Sequence, residues 1–354
     1  MTGTNTHVAV HKLGPKIQTL IDNVCRGKKQ VKLTIGIFAN EKKSIKVFDT
    51  NGEIPNENHI YEIGSVTKTF TGSLLAKQIH EGKMSLDDSI DKYIDGMDKN
   101  TYYPTLKRLA THTAGYPGHL SFNSKWDYIK LALRLNDSYN RGLLPFNVDF
   151  AKMKRLVVEN KLKNKDYSWQ YSNLGIALVG YAIGVATGMG YWDAMNGFLS
   201  DELNMKNSYT GTCPEKNLQG VSLKNVVGNW DWNKSWGKDF TAPAGDISAT
   251  AEDMLEYAKI SMYEDKPYLA LAHQKHAEIK KFGKVAQAMG LGWVILPDKN
   301  FQVITHTGGT SAFISNVAID KEKKVASVSL INYCVSPVEI YKLNIAILEV
   351  LQKN

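Results

Sequence analysis

The sequence predicts a fold of the α/β (α+β) class, in which helices flank an antiparallel sheet and a mainly helical domain is inserted. The first and last thirds of the 354-residue chain both combine alternating β-branched runs with helical spacing. The part between them, by contrast, has helical or irregular apolar spacing, interrupted by Pro and Gly turns. We therefore expect residues 1–83 and 241–354 to form one discontinuous α/β domain, and residues 84–240 to form the inserted helical domain.

The first third predicts one helix, two strands and a second helix. Apolar residues between 17 and 24 follow helical spacing, whereas VKLTIGIFA (31–39) and KSIKVFDT (43–50) are β-branched and alternating, which is typical of an antiparallel pair. The second helix begins near Val66. It ends at Gly82, because glycine readily takes the left-handed conformation of a helix C-terminal cap.

The middle of the chain contains one long apolar stretch, LGIALVGYAIGVATGMGY (174–191). It has roughly the length of a membrane span, but it carries five glycines and no charged flanks, so we expect a buried core helix. The sequence leaves open whether the tryptophans of GNWDWNKSWG line a substrate cleft or pack over the core: Trp230, Trp232 and Trp236.

The last third predicts three consecutive strands and a closing helix. FQVITHTGG (301–309), AFISNVAID (312–320) and KKVASVSLIN (323–332) are separated by short breaks and indicate an antiparallel meander. The SPVE that follows predicts a helix N-terminus, in which Ser336 caps and Glu339 completes a capping box. The chain thus ends on an amphipathic helix.

Composition argues against several kinds of partner and cofactor. The net charge is +8, but Lys and Arg occur in scattered pairs, so we expect no nucleic-acid binding. The first thirty residues lack the uninterrupted apolar core of a secretion signal, and we expect a cytoplasmic protein that binds no membrane. Cys25, Cys213 and Cys334 are far apart and indicate reduced, buried thiols. His273 and His276 form an HxxH on a predicted helix but lack a third ligand, so no metal is expected.

The stretch YEIGSVTKTF (61–70) places Ser65 and Lys68 three positions apart at the start of the second helix, where their side chains share one face. A serine hydroxyl is a poor nucleophile without a base, and lysine serves as one only when desolvation or a nearby cation lowers its pKa. Taken alone, the pair fits a capping serine and a solvated lysine better. A catalytic interpretation therefore requires partners from other parts of the chain.

Two further motifs supply such partners. WQYSNLGIAL contains Tyr171 and Asn173 just ahead of the apolar stretch, and ITHTGGTSAF contains a run at the end of a strand: His306, Thr307, Gly308 and Gly309. The order S-x-x-K, Y-x-N, H-T-G resembles the serine β-lactamase and penicillin-binding protein family. The nearest branch is the class C-like one, which also holds D-aminopeptidases, D,D-peptidases and family VIII esterases. The resemblance covers residues 30 to 350 approximately, includes LKRLATHTAGYPG and APAGDISATAEDMLEYAK, and implies a β-lactamase/transpeptidase-like fold.

The resemblance implies a role for each of these residues. Ser65 attacks a carbonyl, Lys68 assists its deprotonation, and Tyr171 relays the proton to the leaving group as a phenol or phenolate. Asn173 binds the substrate's amide, supports Lys68 or caps the apolar helix. The backbone amides of Ser65 and Gly309 form an oxyanion hole.

The strand motif departs from the commoner family pattern at His306, where many relatives have lysine. A largely neutral imidazole weakens the case for substrates with a carboxylate, such as β-lactams and D-Ala-D-Ala ends, and favours esters and uncharged amides. His306 either polarises Tyr171 or is an ordinary strand histidine. The glycines after Thr307 let a substrate lie close to the strand. His112, in LATHTAG, is expected to be structural.

These motifs predict a serine hydrolase that forms an acyl-enzyme at Ser65 and acts on a small ester or a D-amino-acid amide or peptide, with weak β-lactam hydrolysis as a side activity. No cofactor is implied, and the expected partner is a small-molecule or peptide substrate. Two alternatives remain open from the sequence: a penicillin-recognising or scaffold protein that is acylated slowly or not at all, and a transacylase with an acceptor other than water.

Overall fold

The computed structural model describes residues 14–116, 149–211, 218–222, 227–228, 240–282, 285–297 and 302–353. In chain order, the helices in these ranges are α1 (Pro15–Cys25), α2 (Thr67–His80), α3 (Leu106–Ala110), α4 (Phe150–Glu159), α5 (Asn173–Thr187), α6 (Tyr191–Gly197), α7 (Ala251–Tyr263), α8 (Leu269–His273) and α9 (Pro337–Leu351). Single turns of other helix types occupy Gly64–Val66, Ile90–Tyr93, Phe198–Glu202 and Ala242–Ala244.

The strands are β1 (Leu33–Ala39), β2 (Lys42–Asp49), β3 (Gly52–Ile54), β4 (Ile60–Glu62), β5 (Gly220–Val221), β6 (Val227–Gly228), β7 (Ser248–Thr250), β8 (Ala277–Phe282), β9 (Val285–Met289), β10 (Val294–Pro297), β11 (Gln302–Gly309), β12 (Ile314–Asp320) and β13 (Val325–Ile331). Nine of them form one antiparallel sheet in the order β3-β2-β1-β13-β12-β11-β10-β9-β8. The first and last thirds of the chain meet where β1 pairs with β13, with Leu33 opposite Ile331. The predicted α/β class with an antiparallel sheet is confirmed.

Helices cover both faces of this sheet. On one face, α1 and α9 bury residues such as Ile21 and Leu343 against Ile35 of β1. On the other face, α2 and α7 pack with the helices of the middle of the chain in one continuous core that includes Phe70, Leu178 and other apolar side chains. The proposed domain boundaries at residues 84 and 240 stay a prediction, and side chains from both predicted domains share this core.

Helix α2 is buried on nearly all sides, which explains its unusual composition. Its small polar side chains are fully buried: Thr67, Thr71 and Ser73 bond to neighbouring segments, and Thr69 bonds to the Val66 carbonyl one turn back. Gly72 allows the closest approach, because a Cβ there would lie 1.9 Å from the carbonyl oxygen of Leu291. Small residues thus let α2 carry its N-terminal turn deep into the molecule.

The long apolar stretch forms the core helix α5, as predicted, with most of its residues buried. No single described helix is long and apolar enough to cross a membrane. By length and composition alone, α5 and the bent segment Tyr191–Glu202 together meet that criterion, with an angle of 82° between them.

The strands predicted in the first and last thirds are confirmed as β1, β2, β11, β12 and β13, and the C-terminal cap at Gly82 is confirmed by its φ of +72°. Two details were wrong. Ser336 occupies the N-cap of α9 but makes no side-chain capping bond, so the capping box does not form. Helix α8 ends at His273, so His276 does not share a helix with it.

Candidate active site

Ser65 lies in the 3₁₀ turn Gly64–Val66, between β4 and the first residue of α2. The serine is therefore just before the α-helix rather than in its first turn. Gly64 has a φ of +50°, a left-handed conformation that glycine adopts without a Cβ clash. This turn presents Ser65 at the positive end of α2, which favours developing negative charge.

Lys68 is fully buried one turn later. Its Nζ lies 2.9 Å from Ser65 Oγ, donates to the carbonyl of Ala244 at 2.6 Å, and sits 4.9 Å from the centroid of the Tyr171 ring. Burial holds the pKa of Lys68 well below its ordinary value, because the loss of water disfavours the charged ammonium. The lowered pKa makes a neutral amine accessible, and a neutral amine can accept the proton of Ser65.

Tyr171 approaches Ser65 from the segment before α5, and its hydroxyl donates to Ser65 Oγ at 2.7 Å. Burial raises the pKa of Tyr171, so the resting group is a phenol rather than a phenolate. With Tyr171 as the donor, the hydroxyl proton of Ser65 is directed towards Lys68. The three predicted catalytic side chains are thus brought together in one hydrogen-bonded set.

His112 supports this set from behind. Its ring centroid is 4.8 Å from that of Tyr171, and its Nδ1 accepts the backbone N–H of Ser172 at 3.1 Å. Burial, with a contribution from Lys68, lowers the pKa of His112 well below its ordinary value. The neutral imidazole therefore helps hold Tyr171 in place, in agreement with its predicted structural position.

Asn173 is the first residue of α5, but it is not the cap. Ser172 holds the N-cap position, and its Oγ accepts the N–H of Gly175 at 3.1 Å. The capping interpretation of Asn173 is therefore wrong. Its Oδ1 is buried without a hydrogen-bond partner, and the described residues show no hydrogen bond between Asn173 and Lys68.

The end of β11 lies against the Ser65 turn. A Cβ at Gly308 would be 2.0 Å from the Ile63 carbonyl oxygen, and one at Gly64 would be 2.7 Å from the Gly309 nitrogen. Only glycine permits these approaches. They bring the backbone of Gly309, which is exposed, next to the turn that carries Ser65. This placement is compatible with the predicted pair of oxyanion donors.

The same part of β11 has one unpaired edge. Strand β10 pairs with β11 only as far as Thr305, whereas β12 pairs with it through Gly309. Among the described strands, residues 306–309 therefore have a neighbour on one side only. Their free side offers backbone groups to an extended ligand.

His306 is buried and its Nδ1 lies 2.8 Å from the carbonyl oxygen of Thr307, to which it must donate. Burial, together with Lys68, lowers the pKa of His306 to about 3. The imidazole is therefore neutral at physiological pH, as expected from the sequence. The described residues show no hydrogen bond between His306 and Tyr171, so direct polarisation of the phenol has no support.

Two buried asparagines that the sequence motifs did not identify are linked to Thr307 by hydrogen bonds. Asn316 on β12 donates to Thr307 Oγ1 at 2.8 Å, and Asn344 on α9 donates to Asn316 Oδ1 at 2.5 Å. Both are fully buried. The available signal was an asparagine inside an otherwise apolar strand, in FISNVAID, and another on the apolar face of the closing helix.

Two cavities flank the candidate site. A polar one of about 620 Å³ includes Thr113 and Trp169, and the Trp169 ring centroid is 6.5 Å from that of Tyr171. An apolar one of about 340 Å³ lies along α5 and is lined in part by Pro243, the neighbour of Ala244 whose carbonyl accepts from Lys68. The tryptophans at 230, 232 and 236 lie outside the described residues.

The predicted HxxH histidines have separate local partners. His273 Nδ1 lies 3.1 Å from a Glu264 carboxylate oxygen, and His276 Nε2 lies 2.8 Å from the Leu271 carbonyl. Within the part of the chain that the structure describes, no cluster of three or more metal-ligating side chains is found.

Comparison with known proteins finds relatives that are similar to this chain over more than two thirds of its length. Protein flp from Staphylococcus aureus (strain COL) is 24% identical over 285 residues, which are 77% of this chain and 52% of that protein. A beta-lactamase from Lysobacter lactamgenus is 29% identical over 248 residues, which are 68% of this chain and 57% of that protein. The chain thus spans about half the length of these curated relatives.

Solved structures with the same fold cover nearly the whole chain. A class C beta-lactamase has a TM-score of 0.73 at 20% identity, covering 96% of this chain and 97% of its own. The octameric penicillin-binding protein homologue from Pyrococcus abyssi has a TM-score of 0.75 at 19% identity, covering 96% and 77%. A D-stereospecific amidohydrolase from Streptomyces sp. has a TM-score of 0.70 at 18% identity, covering 93% and 97%.

The sequence model of the Beta-lactamase family matches residues 37–352, which is most of the chain. Members of this family are serine hydrolases. Together with the ordered motifs and the fold, this match identifies the chain as a member of the beta-lactamase family, in the serine β-lactamase and penicillin-binding protein group.

Proposed function

We propose that the protein hydrolyses an uncharged ester or amide through an acyl-enzyme at Ser65. One observation carries the proposal: Ser65 Oγ lies between the buried Lys68 Nζ at 2.9 Å and the Tyr171 hydroxyl at 2.7 Å. A hydroxyl held by an accessible neutral amine and a protonated phenol has both a proton acceptor and a proton donor within reach.

In the first step, Ser65 Oγ attacks the carbonyl carbon while its proton moves to the Lys68 amine. The lowered pKa of Lys68 favours the neutral form that this transfer needs. The amides of Ser65 and Gly309 stabilise the oxyanion, and the loss of one such donor typically costs about 10²–10³-fold in rate.

When the intermediate collapses, the bond between carbon and leaving group breaks and the leaving atom takes the proton of Tyr171. Tyr171 regains a proton from the Lys68 ammonium, which restores both groups. In the second half, water takes the place of the leaving group, gives its proton to the same set, and releases the acid and free Ser65. The raised pKa of Tyr171 supports this role, because the phenol keeps its proton until the leaving group needs it.

The charge of the site supports a neutral substrate. With the pKa of His306 at about 3 and that of Lys68 lowered, neither group provides a fixed positive charge for a carboxylate. The free edge of residues 306–309 and the unpartnered Oδ1 of Asn173 both suit a backbone amide. A relative named as a beta-lactamase and a solved structure named as a D-stereospecific amidohydrolase suit an amide substrate. The lack of a fixed positive charge at His306 favours small esters and D-amino-acid amides and makes β-lactams weaker substrates in this proposal.

The test compares wild-type protein with Ser65→Ala on three chromogenic substrates: a neutral ester, a D-amino-acid anilide and a cephalosporin. We expect turnover of the ester or anilide that Ser65→Ala abolishes and that the exposed-site control Ser200→Ala retains. A fluorophosphonate adduct mapped to Ser65 by mass spectrometry identifies the nucleophile. Wild-type protein without turnover contradicts the proposal: a stoichiometric penicillin adduct then indicates a recognition protein, and the absence of any adduct indicates a scaffold.

The same experiment covers the transacylase alternative. Adding a primary amine or an alcohol to the ester assay offers a second acceptor for the acyl group. Product analysis that finds the transferred acyl group instead of the free acid would replace hydrolysis with acyl transfer at the same site.

A further inference from the structure

A chain of buried hydrogen bonds links the closing helix α9 to the strand motif of the candidate site. Asn344 lies on α9 and has no exposed surface. Its Oδ1 accepts the hydroxyls of Ser327 and Ser329, and its Nδ2 lies 2.9 Å from the carbonyl oxygen of Ser327. A carbonyl only accepts, so the amide of Asn344 has one possible orientation, with Nδ2 as the donor.

Asn316 is oriented by the same argument. Its Oδ1 accepts from Asn344 at 2.5 Å, and its Nδ2 lies 3.1 Å from the carbonyl oxygen of His306. The latter contact again requires the NH₂ group at that position. The same Nδ2 lies 3.3 Å from Thr305 Oγ1 and 2.8 Å from Thr307 Oγ1, and the shorter contact identifies Thr307 as the acceptor of its second proton.

The hydrogen bond from Asn316 determines the direction of the Thr307 hydroxyl proton. Because Thr307 Oγ1 is occupied as an acceptor by Asn316, its own proton is directed away from β12. Thr307 is partly exposed, and it belongs to the length of β11 that has a free edge. Within the described chain, Asn316 is the hydrogen-bond partner of this hydroxyl, so its proton is available to a ligand.

We propose that Asn316, held by Asn344, is a positioning residue that turns Thr307 into a hydrogen-bond donor for the substrate. This inference rests on the proposed function. It adds a substrate class: esters or amides that carry an acceptor oxygen, such as an amide carbonyl, near the scissile bond. An apolar residue at position 316 would leave the His306 carbonyl free, and the Thr307 hydroxyl would turn inward to it.

The test is a double-mutant cycle with Asn316→Leu and Thr307→Val, measured on matched p-nitrophenyl esters. N-acetylglycine and pentanoic acid give acyl groups of equal length, with and without an amide carbonyl. A second matched pair of esters, which are not p-nitrophenyl esters, has the same acyl group and carries or lacks an amide in the alcohol part. The readout is the ratio of kcat/KM within each pair.

We expect each single variant to lower this ratio by about 3- to 10-fold in at least one pair, as for the loss of one hydrogen bond. The double variant should lower it no further than Thr307→Val alone, because Asn316 acts through Thr307. Multiplicative losses, or equal losses for both members of each pair, would mean that Asn316 only supports the fold.

A second variant tests the proposal in case Asn316→Leu folds poorly. The triple variant Asn344→Leu, Ser327→Ala, Ser329→Ala replaces the outer part of the network with apolar groups and leaves the pair of Asn316 and Thr307 in place. It should lower the same ratio, and an unchanged ratio would overturn the role of Asn344. Wild-type protein without Ser65-dependent turnover would refute the proposed function and this inference together, whereas turnover with multiplicative losses would refute the positioning role alone.

Discussion

Replacing Tyr171 with phenylalanine separates two roles that the structure gives to its hydroxyl. The hydroxyl donates to Ser65 Oγ at 2.7 Å and, in the proposed mechanism, also protonates the leaving group. Tyr171→Phe keeps the ring, which packs 4.8 Å from His112, so we expect the fold to be retained. Loss of a single neutral hydrogen bond accounts for about 3- to 10-fold in rate. Loss of a general acid accounts for about 10²–10⁴-fold.

The assay compares methyl and p-nitrophenyl esters of the same acid, because p-nitrophenolate leaves without a proton and an alkoxide does not. For kcat/KM, which reports acylation, Tyr171→Phe should lose about 3- to 10-fold on the p-nitrophenyl ester and about 10²–10⁴-fold on the methyl ester. Tyr263→Phe removes a hydroxyl that bonds Glu41 at the surface and serves as the control. Equal losses on the two esters would refute the proton-donor role of Tyr171.

Three further predictions concern the surroundings of the site. Gly308→Ala would place a Cβ 2.0 Å from the Ile63 carbonyl oxygen, so it should lower Tm and reduce activity at least about 10-fold. The control Gly14→Ala adds a Cβ in open space and should change neither quantity. Wild-type Tm and activity in Gly308→Ala would contradict the close approach. Since the pKa of His306 is lowered to about 3, the protein takes up a proton on unfolding between pH 6.5 and 3. The free energy of unfolding therefore falls as pH decreases through that range, by at most about 1.4 kcal/mol per pH unit for this group. The pH dependence of this free energy should be shallower in His306→Asn, and an equal dependence would contradict the lowered pKa of His306. Hydrogen bonds from His273 and Lys321 lower the pKa of Glu264 to about 2, so the stability that these contacts add is present above about pH 4.5 and is lost as pH falls through about 2. Glu264→Gln should therefore weaken stability at pH 6 and much less at pH 2, as followed by urea denaturation.

Much of the fold could be predicted because the residue types in its central strands match the buried positions that these strands occupy in the sheet. The runs that became β1, β12 and β13 are β-branched and lie in the middle of the sheet, where such residues pack well. Strands β8 to β10 were missed. Their segments include AEIKKF and VAQAM, whose lysines, alanines and methionine have low strand preference, and β8 forms an edge of the sheet where charged side chains are tolerated.

The candidate site was predictable where its parts are side chains in ordered motifs, as for Ser65, Lys68 and Tyr171. It was not predictable where a partner is a backbone atom. The Ala244 carbonyl that receives Lys68 could be any residue's carbonyl, so nothing in the sequence marks it. The orientation of Asn316 depends on Asn344, 28 positions away, and only the packing of α9 on the sheet brings the two together.

The pairing of β1 with β13 also affects when the site can assemble during synthesis. Strand β1 lies between β2, which follows it at once, and β13, whose residues are made almost three hundred positions later. During translation β1 has one open edge for most of the elongation time, and contacts of such large sequence separation form slowly. The nucleophile's turn leaves the ribosome early, but the strand that completes it belongs to the last part of the chain. The proposed catalytic set is therefore expected to be complete only after β11 to β13 have docked beside the turn that carries Ser65.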